Sequence, residues 1–434
     1  MKFVIFLLAC FYTTGVYGSD TYKPCLSLEE VWTLVVNNHE QVKTLCIENY
    51  QANLNIRQTL FRLMPCVGAS ASITYSNPTK AVDGSRIIPT SFKSGSLTLS
   101  QSLVDLRLKS CYLSAKFAKE ATFHRTEFEL YEILYLASEA YVAVLQSNDL
   151  LCVSENQLAL VEEQYGVIRE RYERGEIPIT DLLRSEEEVN RARRVLNDVC
   201  SDVLIYQEQL SNLIGVEASS YQLIPPDFCV DWDSNDLCFL VQEACNRRQD
   251  LKSLSFSIEA AKQQIEALKR TNWPKLDFLG EYTLASPETL AFRNNSWSAA
   301  VWLRVPLFDG GMNGINVKNA QAELKKQQLL YERLSKDLKV KVKTAYYELT
   351  SAKANCSLLQ NELALSKENY EILSERYKRG QTTNIDLMDA LNTYIEVQAN
   401  YAIAQYNLIL LSLKLKKETG FYDELININV LREC

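Results

Sequence analysis

The sequence predicts a mainly α fold with a β-barrel portion. Long antiparallel coiled-coil helices form a helical barrel, and each chain adds four strands long enough to cross a membrane. Three observations predict this. The chain repeats itself: Asn361–Leu387 matches Asn156–Leu182 at 13 of 27 positions without a gap, which marks a duplicated half-molecule rather than a short solenoid unit. Apolar residues recur every seven positions over long stretches, the signature of left-handed coiled-coil packing. Four short stretches switch to a period of two, the pattern of strands with one apolar and one polar face.

Composition narrows the function. Of 434 residues 23% are charged, and the net charge is −8. An acidic chain of this kind has no electrostatic footprint for nucleic acid. Its only histidines, His39 and His124, sit in no Cys/His cluster, so no metal site is expected. Residues 1–18 read as a signal peptide: Lys2, the apolar run Phe3–Tyr12, and the small-residue site Val16-Tyr17-Gly18. A competing reading makes Cys10 a lipidated first residue. Loss of the signal leaves eleven of twelve cysteines. These are scattered, and although Cys229 and Cys238 lie close in sequence, no pairing follows from sequence alone. Beyond the signal no run of 18 apolar residues occurs, so any membrane crossing is not by a hydrophobic helix.

The elements follow in order. Residues 19–215 form a first structural repeat, 216–235 a linker, 236–420 a second repeat and 421–434 a tail. Ser27 with Glu30 makes a capping box that opens a helix running to about Leu63, before Pro65. Ala69, Ala71, Ile73 and Tyr75 then alternate with Ser70, Ser72, Thr74 and Ser76. A loop over Asn77–Ser91 precedes a second strand, with Leu97, Leu99 and Leu103 against Ser96, Thr98, Ser100 and Ser102. From Leu106 to Glu173 one helix carries the seam Phe123, Leu130, Ala137, Val144, Leu151, Leu158, Tyr165 and Tyr172. At 1.5 Å per residue it is roughly 100 Å long. Pro178 breaks it, and a second heptad helix runs from about Asp181 to Leu213, with Gly215 as its stop.

The second half repeats the plan. A helix over Asp236–Arg270 ends before Pro274. One strand sets Leu276, Phe278, Tyr282 and Leu284 against Asp277, Glu281 and Thr283. The next, after a loop at Ser286–Asn295, places Trp297, Ala299, Val301, Leu303, Val305 and Leu307 on one face. Asp309-Gly310-Gly311 turns the chain into a second long helix with seam Leu324, Tyr331, Leu338, Ala345, Ala352 and Leu359. A last helix runs to Gly420.

Each strand is about nine to eleven residues, the length a tilted strand needs to cross a bilayer. A sheet in lipid cannot leave its edges unpaired, and the smallest single-chain barrels have about eight strands. Several chains therefore share one barrel, continuous with a helical tube. A non-channel periplasmic coiled-coil scaffold is the alternative that this pattern leaves open.

These residues resemble the TolC-like outer-membrane efflux proteins along nearly the whole mature chain. The resemblance is carried by the duplication and by Val305-Pro306-Leu307-Phe308-Asp309-Gly310-Gly311. It is carried also by the paired turns Arg171-Tyr172-x-Arg174-Gly175…Asp181-Leu182 and Arg376-Tyr377-x-Arg379-Gly380…Asp386-Leu387. It implies a homotrimer whose strands close a 12-stranded barrel in outer-membrane lipid, with its helical part in the periplasm of a bacterial cell. It implies docking to a periplasmic adaptor protein and an inner-membrane pump, for efflux or type I secretion. Asp386 and Asp389 match the family's channel-constriction aspartates, which three-fold symmetry turns into carboxylate rings that attract cations. The alternative is that they merely sit in the first turn of a helix, where acidic groups are favourable without any gate. Thr180, Asp181 and Tyr377 match positions that hold the tip closed, although an arginine of that network falls on Thr382 here. The turn residues Arg171, Tyr172, Arg174, Gly175, Arg376, Arg379 and Gly380 fall at the adaptor-docking tip. Tyr172 and Tyr377 also suit packing on the heptad seam. No catalytic motif occurs: no G-x-S-x-G, no phosphate-binding Gly-Lys-Ser/Thr and no H-E-x-x-H, so neither an enzyme nor a cofactor is expected.

Overall fold

The computed structural model describes residues 24–75, 79–80, 86–88, 91–226, 237–286 and 295–421. The signal peptide with Cys10, Cys229, the core of each loop between paired strands and nearly all of the tail lie outside them. In chain order the elements are β1 (Cys25–Leu26), α1 (Leu28–Asn38), α2 (Glu40–Phe61), β2 (Cys66–Tyr75), β3 (Thr79–Lys80), β4 (Arg86–Ile88), β5 (Ser91–Val104), α3 (Leu106–Glu173) and α4 (Ile179–Ile214). After β6 (Gln222–Leu223) come α5 (Leu237–Arg247), α6 (Gln249–Lys269), β7 (Lys275–Ser286), β8 (Asn295–Arg304), α7 (Met312–Lys378) and α8 (Asn384–Thr419).

The four long strands form one antiparallel sheet in the order β2-β5-β7-β8. The helices keep the same order. The helices α2 and α4 pack on one side of α3, α6 and α8 pack on its other side, and α7 lies beyond them. Since α2 feeds β2, β5 feeds α3, α6 feeds β7 and β8 feeds α7, sheet and helical layer form one continuous wall. Register sorts the side chains of the wall by polarity. Val67 faces Leu99, Leu97 faces Tyr282 and Tyr282 faces Trp297, while Ser70 faces Ser96 and Ser72 faces Ser94. Each of those serine pairs is joined by a 2.9 Å Oγ–Oγ hydrogen bond. A bulge between Ser102 and Val104 shifts the base of β5 by one residue, so that Val104 rather than Leu103 lies opposite Leu276.

Ser27 caps α1 as expected: Glu30 N donates to Ser27 Oγ at 3.3 Å, and Ser27 N donates to Glu30 Oε2 at 2.8 Å. Both helices expected to run unbroken into the first strand of their half are in fact split. His39 is extended between α1 and α2, its ring accepting from Gln41 N at 3.3 Å. Arg248 is extended between α5 and α6. Neither residue is a glycine or proline; the break at His39 is capped locally by its own ring, whereas tertiary contacts hold the one at Arg248. Arg248 is 4% exposed. It grips Asp250 at 3.0 and 2.7 Å, pairs with Glu418 at the end of α8 and stacks over Phe128. The strand expected to reach Leu307 stops at Arg304, because Pro306 has no N–H for a ladder.

The deepest packing lies midway along α3. Trp32 is buried among Leu130, Leu134, Ala137 and Ile214, and its Nε1 donates to Ser138 Oγ at 2.8 Å. The Tyr141 hydroxyl lies 2.8 Å from Leu26 O and 2.6 Å from Ile224 O, fastening the parallel β1–β6 pair to α3. His124 packs against Phe256 and contacts Gln249. No helix among the described residues is long and apolar enough to cross a membrane.

Removing one partner from a buried charge cluster strands the others, which costs about 3–5 kcal/mol. Arg248→Ala is therefore expected to lower unfolding stability in detergent by about that amount. Arg248→Met combined with Asp250→Asn and Glu418→Gln is expected to lower it much less. Denaturant midpoints of the two variants check this.

Candidate functional site: the paired helix-reversal turns

At the end of the helical layer away from the sheet, α3 reverses into α4 and α7 reverses into α8. The two turns share one geometry. Gly175 and Gly380 both have φ of 73°, a left-handed conformation that favours glycine. Gly175 N donates to Tyr172 O at 2.8 Å and Glu176 N to Arg171 O at 3.0 Å; Gly380 N donates to Tyr377 O at 2.9 Å and Gln381 N to Arg376 O at 2.9 Å. This double pattern is the Schellman motif, which satisfies the last carbonyls of a helix. The Arg-Tyr-x-Arg-Gly pattern thus encodes the turn itself, with the glycine at its hinge.

The side chains of the two turns differ. Arg171 and Arg174 donate to Glu176 at 3.1 and 2.8 Å. The Arg171 bond is the main cause that holds this carboxyl below its ordinary range, assisted by Arg174. Arg171 also lies over the Tyr377 ring, 4.9 Å from its centroid, and so ties the first turn to the second. Tyr377 is 3% exposed; burial pushes its phenol up, with Arg171 opposing and the Asp181 charge adding to the shift. The structure thus brings together Arg171, Arg174, Glu176, Tyr377 and Asp181. Thr180 stands apart, exposed in the first turn of α4. Tyr172 is half-buried, and Arg376 is exposed and contributes its carbonyl to the turn. Arg379 pairs with Glu375 at 2.9 Å.

Asp386 takes a local role. It is the third residue of a capping box on Thr383: its Oδ2 accepts from Thr383 Oγ1 at 2.6 Å and from Thr382 Oγ1 at 3.0 Å. Those hydroxyls, Thr383 first, hold its carboxyl below the ordinary range. Thr382, where the resemblance calls for an arginine, serves the cap instead. Asp386 and Asp389 are both exposed on one face of α8, opposite the buried Leu387, Met388 and Leu391.

Sequence reasoning missed Glu176 and Asn384. Glu176 follows the hinge glycine with arginines two and five residues before it, a readable signal. Asn384 is 4% exposed, and neither its amide nitrogen nor its oxygen has a hydrogen-bond partner among the described residues. An unmatched buried amide of this kind costs about 1–3 kcal/mol, and nothing in the sequence marks it. No group of His, Cys, Asp and Glu among the described residues could hold a metal. The arrangement supplies hinges, a cross-turn clamp and exposed carboxylates.

The family described as outer membrane efflux protein matches residues 34–216 and again 240–420. The chain is 22% identical over 431 residues to the outer membrane protein TolC of Escherichia coli, spanning 94% of this chain and 85% of that protein. It is 21% identical over 342 residues to the alkaline protease secretion protein AprF of Pseudomonas aeruginosa, spanning 76% and 69%. Its fold overlays a membrane protein from Pseudomonas aeruginosa with a TM-score of 0.80 at 18% identity, over 91% of this chain and 90% of that one. It overlays the CmeC outer membrane channel of Campylobacter jejuni with a TM-score of 0.78 at 16% identity, over 93% and 90%. With the family matched across both halves, the chain belongs to the outer membrane efflux proteins.

Proposed function

We propose that the chain is the outer-membrane channel of a tripartite efflux or type I secretion system. In this reading it is a passive homotrimeric conduit that docks a periplasmic adaptor and an inner-membrane pump. It performs no catalysis; its work is to pass and to gate. Residues 19–215 and 236–420 act as its two structural repeats.

One observation carries the reading. The continuous wall ends in two open edges, β2 with α2 and α4 on one side and β8 with α7 on the other. A head-to-tail contact between unlike edges generates a ring when the rotation closes. Three copies of the four-stranded sheet then make twelve strands and leave no edge in the bilayer. The α7 edge supports this. Val340, Tyr347, Leu358 and Leu365 form an exposed apolar stripe with spacings of seven, eleven and seven residues, a coiled-coil seam without a partner in the chain. The opposite edge exposes Ile47, Tyr50 and Leu54 on α2 and Leu183 and Leu204 on α4. On the sheet, Tyr75 and Trp297 mark one end of the exposed apolar band, and Trp273 and Phe308 flank the other, as interfacial aromatics do.

At the far end, Asp386 and Asp389 form the constriction, set in the ring by three-fold symmetry. The clamp of Arg171 and Asp181 around Tyr377 holds the tip closed within the chain, and the exposed Thr180 acts only across the ring, toward a neighbouring copy. Arg171, Tyr172, Arg174, Gly175, Arg376, Arg379 and Gly380 build the docking turns. The unmatched Asn384 amide leaves this part of the core below its optimum stability, which suits an element that moves.

The oligomer tests the reading first. Wild-type protein in detergent is expected to have the mass of a trimer, and Leu358→Lys with Leu365→Lys is expected to yield folded monomer, because both side chains are exposed within the chain. A wild-type monomer, or a double variant that remains trimeric, contradicts it. The constriction gives a second expectation: Asp386→Ala with Asp389→Ala lowers cation selectivity and block by multivalent cations in planar bilayers. Unchanged block would remove the two aspartates from the gate.

A further inference from the structure

Above its base the polar face of the sheet is lined mainly by hydroxyls: Ser70, Ser72 and Thr74 on β2, Ser94, Ser96, Thr98, Ser100 and Ser102 on β5, Thr283 on β7, and Ser296 and Ser298 on β8, with Glu281 among them between Thr98 and Ser298. Its base breaks that pattern. There a concavity of about 530 Å³ is lined by Phe61 and Met64 from the end of α2, and by Leu279 and Trp302 from β7 and β8. These side chains are large and apolar on a face that is otherwise small and polar, and Trp302 is 57% exposed.

The charges of the concavity are unbalanced. Arg62, Arg304 and Asp277 also line it. Trp302 and Arg304 are two residues apart on one strand and so project to one face. In register Asp277 lies opposite Trp302, and Lys275 lies opposite Arg304. Like charges directly opposed across strands are unfavourable. Lys275 is turned to Asp105, 4.0 Å away. Arg304 and Arg62 make no ion pair among the described residues. A guanidinium offers a planar fork matched to a carboxylate or sulfonate, and a tryptophan face offers a stacking platform.

We propose that this concavity is a transit contact site for amphiphilic organic anions. The apolar body rests on Trp302, Leu279, Phe61 and Met64, and the acid group meets Arg62 and Arg304. The inference rests on the channel reading, which makes the polar face the lumen. In a trimer the site occurs three times, where the helical tube joins the barrel. It lies at the opposite end of the helices from Asp386 and Asp389, so a cargo meets the acidic constriction and the basic, aromatic collar in succession.

The test uses 1-naphthalenesulfonate as probe on the purified full-length protein. Single-channel currents are expected to show concentration-dependent block by the probe. Trp302→Ser and Arg304→Gln are each expected to raise the blocking concentration roughly tenfold, about 1.4 kcal/mol, measured relative to each variant's own open-channel current. Inorganic sulfate and a naphthyl trimethylammonium cation are expected to block far less. Equal block by the cation, or block untouched by both substitutions, overturns the proposal. Calorimetric binding of the probe to the protein in detergent, wild type against Trp302→Ser, reads the site without any current. Loss of binding in the variant supports the site even if no channel opens, and equal binding overturns it even if channels open normally.

Discussion

A backbone N–H or C=O left unpaired in hydrocarbon costs several kcal/mol, and this chain ends in two rows of such groups along β2 and β8. The rest of the architecture follows from that constraint. The sheet of four strands is too narrow to close on itself, and in the proposed channel its edges are met by copies of the same chain. Strands and helices share one lateral order, so closing the sheet also closes the helical layer below it. The exposed apolar stripe on α7 lies on the same side as the open edge of β8. In the proposed ring, one closure would satisfy hydrogen bonds in the barrel and bury apolar side chains in the tube.

The two ends of the wall solve different problems. At the sheet, each joint to a long helix is fixed by an aspartate: Asp105 accepts from Arg107 N at 2.9 Å, and Asp309 accepts from Gly311 N at 3.0 Å and Asn313 N at 2.9 Å. At the turns, the backbone is equally well satisfied but the side-chain contacts are adjustable. Exposed ion pairs such as Arg174–Glu176 contribute little to stability, and Asn384 contributes a penalty. Unmatched buried polar atoms occur at both ends among the described residues, Arg107 Nε and Asn313 Oδ1 beside the sheet joints and the Asn384 amide at the turns, so the ends differ in the adjustability of their ion pairs rather than in unmatched groups.

Much of this was legible in the sequence because it rests on local rules. The ends of α3 at Leu106 and Glu173 follow from heptad periodicity bounded by Asp105 and Gly175. The Ser27 capping box and the left-handed Gly215 are single-residue signals that the structure keeps. The break at Arg248 was not legible, because it is held by partners such as Glu418, 170 residues away, and the break at His39 carries only a histidine cap, outside the usual Ser, Thr, Asp and Asn signals. The β1–β6 pair escaped for the same reason: two residues on each strand leave no period, and Tyr141 fastens them from α3. At the turns the glycines could be read from type alone. The tie of Arg171 to Tyr377 joins positions 206 residues apart and could not.

The central claim is that like chains close this wall into a continuous pore. Single-channel recording of the purified protein in a planar bilayer, with its oligomeric mass determined in the same detergent, tests that claim most directly. A trimer that gives discrete, cation-selective openings is the predicted result. A stable oligomer that never conducts, even with the Arg171 and Tyr377 contacts removed to release the tip, would contradict it and leave a coiled-coil scaffold in place of a channel.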